Sequence, residues 1–396
     1  MRIKQAESAV LFVACVAAIC WACLTDWLAA PLALPRLAVL FLLLGLVRIF
    51  FLRKIPAPTS SGAIVMAIGI FVNGAIAHFP VLNEKFGPSL ALILFILLIF
   101  IASSYLADLL QKRLFSNHLA SHLGRFAVGT WIAGISVCGI ALCQRLPGWR
   151  PVVQLMVLGN LALWLLFIVW AIDSLRHFFL SDQWQQVHGV LLLSTVSSQS
   201  LVIAWKAAFG TSAAYRLVAP AMLGFGTLLY ILSLALICRR YLHQGRSIDL
   251  DRDWYNTNCI IHGAMSITGL ASAVSGVIPD NITLLVWLWV ILWFLLVESV
   301  ELARALLRLR RYGFSEGLCR YDPSQWSRNF TFGMLYAFTG TFDITGSIGA
   351  GTVLVPLHQL ILRYFAWVVL AMLLLEILLF LRARLSPAIT GTSGRR

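Results

Sequence analysis

The residues best suited to chemistry gather in one apolar stretch, where Ser194, Thr195, Ser197, Ser198, Gln199 and Ser200 stand almost side by side. Hydroxyl and amide donors can replace part of an anion's hydration shell without gripping it as a buried cation would, and ion passage needs that compromise. Along a helix rising about 1.5 Å per residue, Gln199 lies roughly 16 Å from His188, near the middle of an apolar span. The same six groups could instead serve hydrogen bonding between helices. Lys206 and Asp343 are charges set well inside apolar segments, where a charge normally faces an interior or a cavity. Lys206 could attract anions or snorkel to an interface; Asp343 could partner it or carry a proton.

The other titratable residues promise less. His118 and His122 have i, i+4 spacing, but no third ligand or Glu stands beside them, so neither a metal site nor a cofactor is expected. Asp249, Asp251 and Asp253 alternate without the Gly or distal Glu of a calcium loop and read as a solvated loop. Glu298, Glu301 and Glu376, with arginines such as Arg304 nearby, read as members of structural ion pairs. His188 and His262 each open an apolar block and could sense pH. No H-E-x-x-H or G-x-S-x-G arrangement is present, so the chain does not read as an enzyme. An intramembrane enzyme and a non-transporting scaffold subunit are the competing classes.

The elements that must position these residues are apolar helices. Sixty per cent of the 396 residues are hydrophobic and 12% are charged, about half the charged share of a soluble domain. The apolar residues fall in blocks of roughly 17–25, the length that crosses about 30 Å of hydrocarbon. The net charge of +14 comes from basic residues in short loops between blocks. It does not form one face with interleaved aromatics, so no nucleic-acid partner is expected. Most of the eight cysteines lie in or at the ends of apolar blocks, which is not a disulfide framework. The first block reads as a span rather than a cleaved leader. About twelve spans are predicted: 8–30, 35–52, 62–80, 89–109, 126–145, 151–174, 187–208, 214–238, 257–278, 282–303, 329–350 and 357–381. With twelve spans, 23 of the 30 Lys and Arg residues fall on the side of the two termini. The positive-inside rule then puts both termini in the cytoplasm, with the protein in the inner (plasma) membrane and lipid as its solvent.

From the third span on, two compositions alternate. The blocks 126–145, 187–208, 257–278 and 329–350 are rich in Gly, Ala, Ser and Thr, and 62–80 also carries small residues. The blocks 151–174, 282–303 and 357–381 are dominated by bulky side chains, as is 89–109; 214–238 is intermediate. Small residues allow close helix approach or leave room for a lumen, and bulky ones suit lipid. The expected fold is an all-α polytopic membrane protein in which five helical hairpins place an inner ring of five helices inside five outer ones. The division is 1–60 as an extra N-terminal hairpin, 61–385 as the ten-helix core and 386–396 as a cytoplasmic tail.

Three inner segments carry a resemblance. Ser194–Leu201 (STVSSQSL), Asp253–Gly269 (DWYNTNCIIHGAMSITG) and Pro323–Met334 (PSQWSRNFTFGM), with Gly124–Gly134 (GRFAVGTWIAG) as a weaker fourth, resemble the tellurite-resistance/dicarboxylate transporter family, which includes slow-type anion channels. The resemblance implies ten core helices with quasi-fivefold symmetry about a central pore, and often a homotrimer. It implies cargo among small inorganic or organic anions: chloride, nitrate, sulfite, malate-like dicarboxylates or tellurite-type oxyanions. It also implies a pore-occluding Phe at Phe330, with Phe338 as an alternative farther along. The residue after the gating Phe is Pro in that family and Thr331 here, which restores a backbone donor and straightens the helix.

The orientation has a direct consequence. In intact cells, a membrane-impermeant thiol reagent should label Glu84→Cys, Gly148→Cys and Asp280→Cys from outside and should miss Glu316→Cys. External labelling at position 316 would overturn both the span count and the orientation.

Overall fold

The computed structural model describes residues 57–244, 248–342, 344 and 353–385. These form ten principal helices and, among the described residues, no strand. In chain order they are α1 (Gly62–Asn73), α2 (Pro80–Leu110), α3 (Gly129–Arg145), α4 (Arg150–Leu180), α5 (Leu193–Phe209), α6 (Ala213–Gln244), α7 (Ile260–Ser275), α8 (Asp280–Gly317), α9 (Trp326–Thr339) and α10 (Leu354–Leu385). The expected spans 8–30 and 35–52, the tail 386–396 and Asp343 lie outside the described residues.

Among the described residues, eight helices are long and apolar enough to cross a membrane, which is compatible with a membrane-embedded protein. Ten spans were expected in this region. The eight include α1, α3 and α5, each taken together with its adjoining short turns, and do not include α7 or α9. Each odd-numbered helix begins with a 3-10 turn. Those turns are Thr59–Ser61, Phe126–Val128, Gly189–Leu192, Asn256–Cys259 and Pro323–Gln325. The last is set by a capping box in which Asp322 and Gln325 satisfy each other's backbone N–H groups. The even-numbered helices run 31 to 38 residues and display bulky side chains such as Leu155, Leu165, Val169, Leu285 and Leu296 outward.

The odd-numbered helices contact one another in a closed cycle, α1 to α3, α3 to α5, α5 to α7, α7 to α9 and α9 back to α1. Each even-numbered helix lies in the groove between two of them: α2 against α1 and α3, α4 against α3 and α5, α6 against α5 and α7, α8 against α7 and α9, α10 against α9 and α1. The inner helices run parallel, because neighbours meet in the same order along both chains. Gly62 faces Thr130 while Gly69 faces Val137, and Gly263 faces Thr331 while Gly269 faces Phe338.

A glycine makes the close approach at every junction of the ring. A Cβ at Gly62 would stand 2.4 Å from the Thr130 carbonyl oxygen, at Gly129 2.7 Å from that of Leu193, and at Gly189 1.9 Å from that of Thr257. At Gly263 it would meet Thr331 Cγ2 at 2.1 Å, and at Gly333 Ile70 Cγ2 at 2.5 Å. No side chain fits at such distances, so the small-residue composition reflects backbone approach between helices. A matched pair tests this. Gly62→Ala, pressed against a backbone, should destabilise the detergent-solubilised protein by about 1–3 kcal/mol. Gly159→Ala on α4, with nothing within 4 Å, should stabilise by about 0.5–1 kcal/mol through helix propensity. Thermal unfolding of both reads the difference.

Candidate functional site

The axis of the inner ring can be located from the contacts each helix makes, since successive residues turn by roughly 100°. On α9, Arg328, Phe332, Leu335 and Thr339 meet the outer helices: Arg328 pairs with Glu298 and Glu301 of α8, Phe332 packs on Phe294 and Phe365, and Thr339 accepts from Trp287 Nε1 at 3.0 Å. Thr331 and Phe338 meet α7, whereas Gly333 and Ala337 meet the α1 side. The face left over carries Phe330 and Met334, each 1% exposed. On α5 the face opposite the outer helices carries Ser197, Ser200 and Ala204. On α1, Met66 lies between the faces that meet α3 and α9, and on α7 Ile267 lies opposite the outward Met265. All are buried. The axis is therefore dry and mostly apolar, with Phe330 as its largest ring. Ser197 and Ser200 bring hydroxyls, but each donates back to a carbonyl of its own helix, at Ser194 and Ser197.

Several expected pore residues turn elsewhere. Ser198 Oγ accepts from Trp164 Nε1 of α4 at 3.0 Å, and Gln199 Nε2 donates to the Leu223 carbonyl of α6 at 3.2 Å. Thr195 lies on that same outward side, its Oγ1 buried with no hydrogen-bond partner. These three fasten or face the outer layer, the interhelical alternative for polar residues in spans. Phe338 is also a packing residue: its ring lies over Gly269 and joins Phe342, with Trp287 and Leu335 in the same cluster. Lys206 Nζ donates to the Val274 carbonyl in the last turn of α7, which makes it a helix C-cap rather than a free anion attractor. Arg145 does the same for α1, donating to the Val72 carbonyl at 3.2 Å.

Sequence reasoning missed the charge network beside the axis. Arg328 Nη2 stands 2.6 Å from Glu301 Oε1, and its Nε stands 3.5 Å from Glu298 Oε2. Glu301 also takes Trp254 Nε1 at 2.9 Å and Arg304 at 3.5 Å, while Glu298 faces the fully buried His262 at 3.4 Å. The ion pairs expected of Glu298 and Glu301 are present, and both carboxylates pair with Arg328, which stands just before the expected span 329–350. The i, i+3 spacing of the two carboxylates opposite an Arg in a span-flanking position was the available signal. Glu376 departs from expectation: it is 5% exposed and makes no ion pair within 4 Å among the described residues.

At the end where the inner helices begin, polar groups hold the loops. His118 bridges Asp108 Oδ2 at 3.1 Å and Thr59 Oγ1 at 2.9 Å, and so pins the start of α1 to α2. The 249–253 loop is tied down rather than free in solvent. Asp251 pairs with Arg308 at 2.8 Å and accepts from the Tyr312 hydroxyl at 2.7 Å, and Asp249 pairs with Arg311 at 3.2 Å. The Tyr312 hydrogen bond first, and the Arg308 charge with it, hold the Asp251 carboxyl below its ordinary range. His188 hydrogen-bonds Thr257 Oγ1 at 2.7 Å and stacks on Tyr255. Burial, assisted by the Arg240 charge, pushes its imidazole down to about 3, so it stays neutral near pH 7 and is not a sensor there.

No protein-family model and no curated protein matches this chain. The geometry alone defines its class: a membrane-compatible helical protein with a closed inner ring around a dry, aromatic-bearing axis.

His188 supplies a pH test. Its folded value lies below the ordinary 6.5, so its contribution to stability is complete above pH 6.5 and is lost as pH falls toward 3. The melting temperature should drop between pH 6.5 and 4.5, and His188→Asn should flatten that slope.

Proposed function

We propose that this chain is a multi-pass inner-membrane protein with both termini cytoplasmic, which passes small anions along the axis of a ten-helix, quasi-fivefold core. The extra N-terminal hairpin stands outside that core. The observation that carries the reading is the closed ring of five parallel inner helices with Phe330 turned to its axis. A ring of parallel helices sets five N-termini at one mouth. Each helix N-terminus carries roughly half a positive charge, so that mouth favours an anion over a cation. At the other mouth the helix dipoles present negative ends, and Arg145 and Lys206 cap two of the five. The five dipoles thus give the path a polarity without a fixed cation on the axis, which an anion must be able to leave.

The family resemblance of the Ser194–Leu201, Asp253–Gly269 and Pro323–Met334 segments points the same way. It supplies the candidate cargo: chloride, nitrate, sulfite, malate-like dicarboxylates and tellurite-type oxyanions. In this reading Phe330 closes the path and Ser197 lines it, while Thr195, Ser198 and Gln199 hold α5 against its outer neighbours.

Flux in proteoliposomes, measured per folded protein over that anion panel, tests the proposal. Phe330→Ala should raise anion flux several-fold while yield stays near normal. Phe338→Ala empties a packed cluster and should cost about 3–5 kcal/mol, so yield and flux should fall together. Unchanged flux in Phe330→Ala would end the aromatic-gate mechanism.

A further inference from the structure

The Arg328 network deepens the anion-path reading and rests on it. Arg328 and Phe330 sit two residues apart on α9, which places them on nearly opposite faces of the helix. Phe330 faces the ring axis, and Arg328 faces α8. There it meets two carboxylates at once, Glu301 Oε1 at 2.6 Å and Glu298 Oε2 at 3.5 Å. Behind them, Trp254 donates to Glu301 and Arg304 stands 3.5 Å from it, while Glu298 Oε1 stands 3.4 Å from His262 Nε2 of α7 without a hydrogen bond. Arg304 in turn donates to Asn256 Oδ1 at 2.7 Å, in the turn that begins α7. The guanidinium is thus clamped to α8 and, through it, to the start of α7.

The other contacts of α9 with the inner ring are not ionic. They run through Gly263, Gly269 and Gly333, against Thr331, Phe338 and Ile70, and are van der Waals packing. At the far end of the helix, one hydrogen bond from Trp287 to Thr339 holds the outward face. The charge attraction between the Arg328 guanidinium and two carboxylates is the ionic contact in the set, made without hydrogen-bond geometry at Nη2 or Nε, and it lies on the same turn as the ring that blocks the axis.

We infer that Arg328 is a positioning residue for Phe330: its clamp between Glu298 and Glu301 sets the rotation of α9 and so keeps the aromatic ring on the axis of the inner helices. Releasing the clamp lets α9 turn toward α8 or away from it, and the ring leaves the path. Nothing about this requires Arg328 to touch an anion.

The experiment compares four proteins in the same proteoliposome chloride and nitrate flux assay: wild type, Phe330→Ala, the neutral triple Arg328→Gln/Glu298→Gln/Glu301→Gln, and the two sets combined. The triple is used because Arg328→Gln alone would leave the buried Glu301 and the half-buried Glu298 without their shared cation and fold poorly, whereas the triple leaves no unpaired charge among the three positions. The triple should raise flux several-fold at near-normal yield, and the combined variant should conduct no more than Phe330→Ala, since a ring that has been removed cannot be mispositioned. A purely structural role would leave the ratio between triple and wild type the same in both backgrounds. The inference is overturned if Phe330→Ala raises flux and the triple stays at wild-type flux, or if the triple multiplies flux equally with and without Phe330; either result leaves the anion path standing. If Phe330→Ala itself raises nothing, the aromatic gate and the clamp fall together, and absence of flux in every variant, wild type included, removes the anion path.

Discussion

Backbone approach between inner helices is the constraint on which the rest of this structure depends. Five helices can close a ring with little space inside only if neighbours approach closely, main chain to main chain at Gly62, Gly129 and Gly189 and main chain to side chain at Gly263 and Gly333. At each junction a glycine gives up its side chain to allow it: Gly62, Gly129, Gly189, Gly263 and Gly333. In a bilayer, where apolar side chains gain nothing by leaving lipid, such van der Waals contact is the main attraction between helices. The outer helices then have a defined place, because two adjacent inner helices leave one groove between them. Even the aromatic packing follows, since Phe338 finds its position over the bare backbone at Gly269.

The polar groups obey the same geometry. With the axis lined by Phe330, Met334, Met66 and Ile267, hydrogen bonding moves one layer out, into the grooves occupied by the outer helices. Trp164 to Ser198, Gln199 to Leu223, Asn160 to Ser136 and Trp287 to Thr339 all join an inner to an outer helix. The ionic network around Arg328 lies in that layer too. The molecule is therefore dry at its centre, polar around the centre and apolar at its rim.

Much of the architecture was legible in the sequence because small and bulky blocks alternate, and close approach demands one while lipid accommodates the other. The turning of each helix was not legible. On α5 small and polar residues run around the whole circumference, so no apolar stripe marks a face, and Ser198 and Gln199 find their partners on α4 and α6, which the local pattern does not reveal. The place of Arg328 was not legible for a related reason. An Arg at the edge of an apolar block looks like a flanking charge, and only the meeting of α8 with α9 brings Glu298 and Glu301 to it.

The glycine junctions also decide how the ring can vary. A Cβ at Gly62, Gly129 or Gly189 would overlap a main-chain carbonyl of the next helix, so a larger residue at any of these positions can enter only by moving a whole helix. The shape of the ring is set by its backbone, and the side chains around it are free to change first.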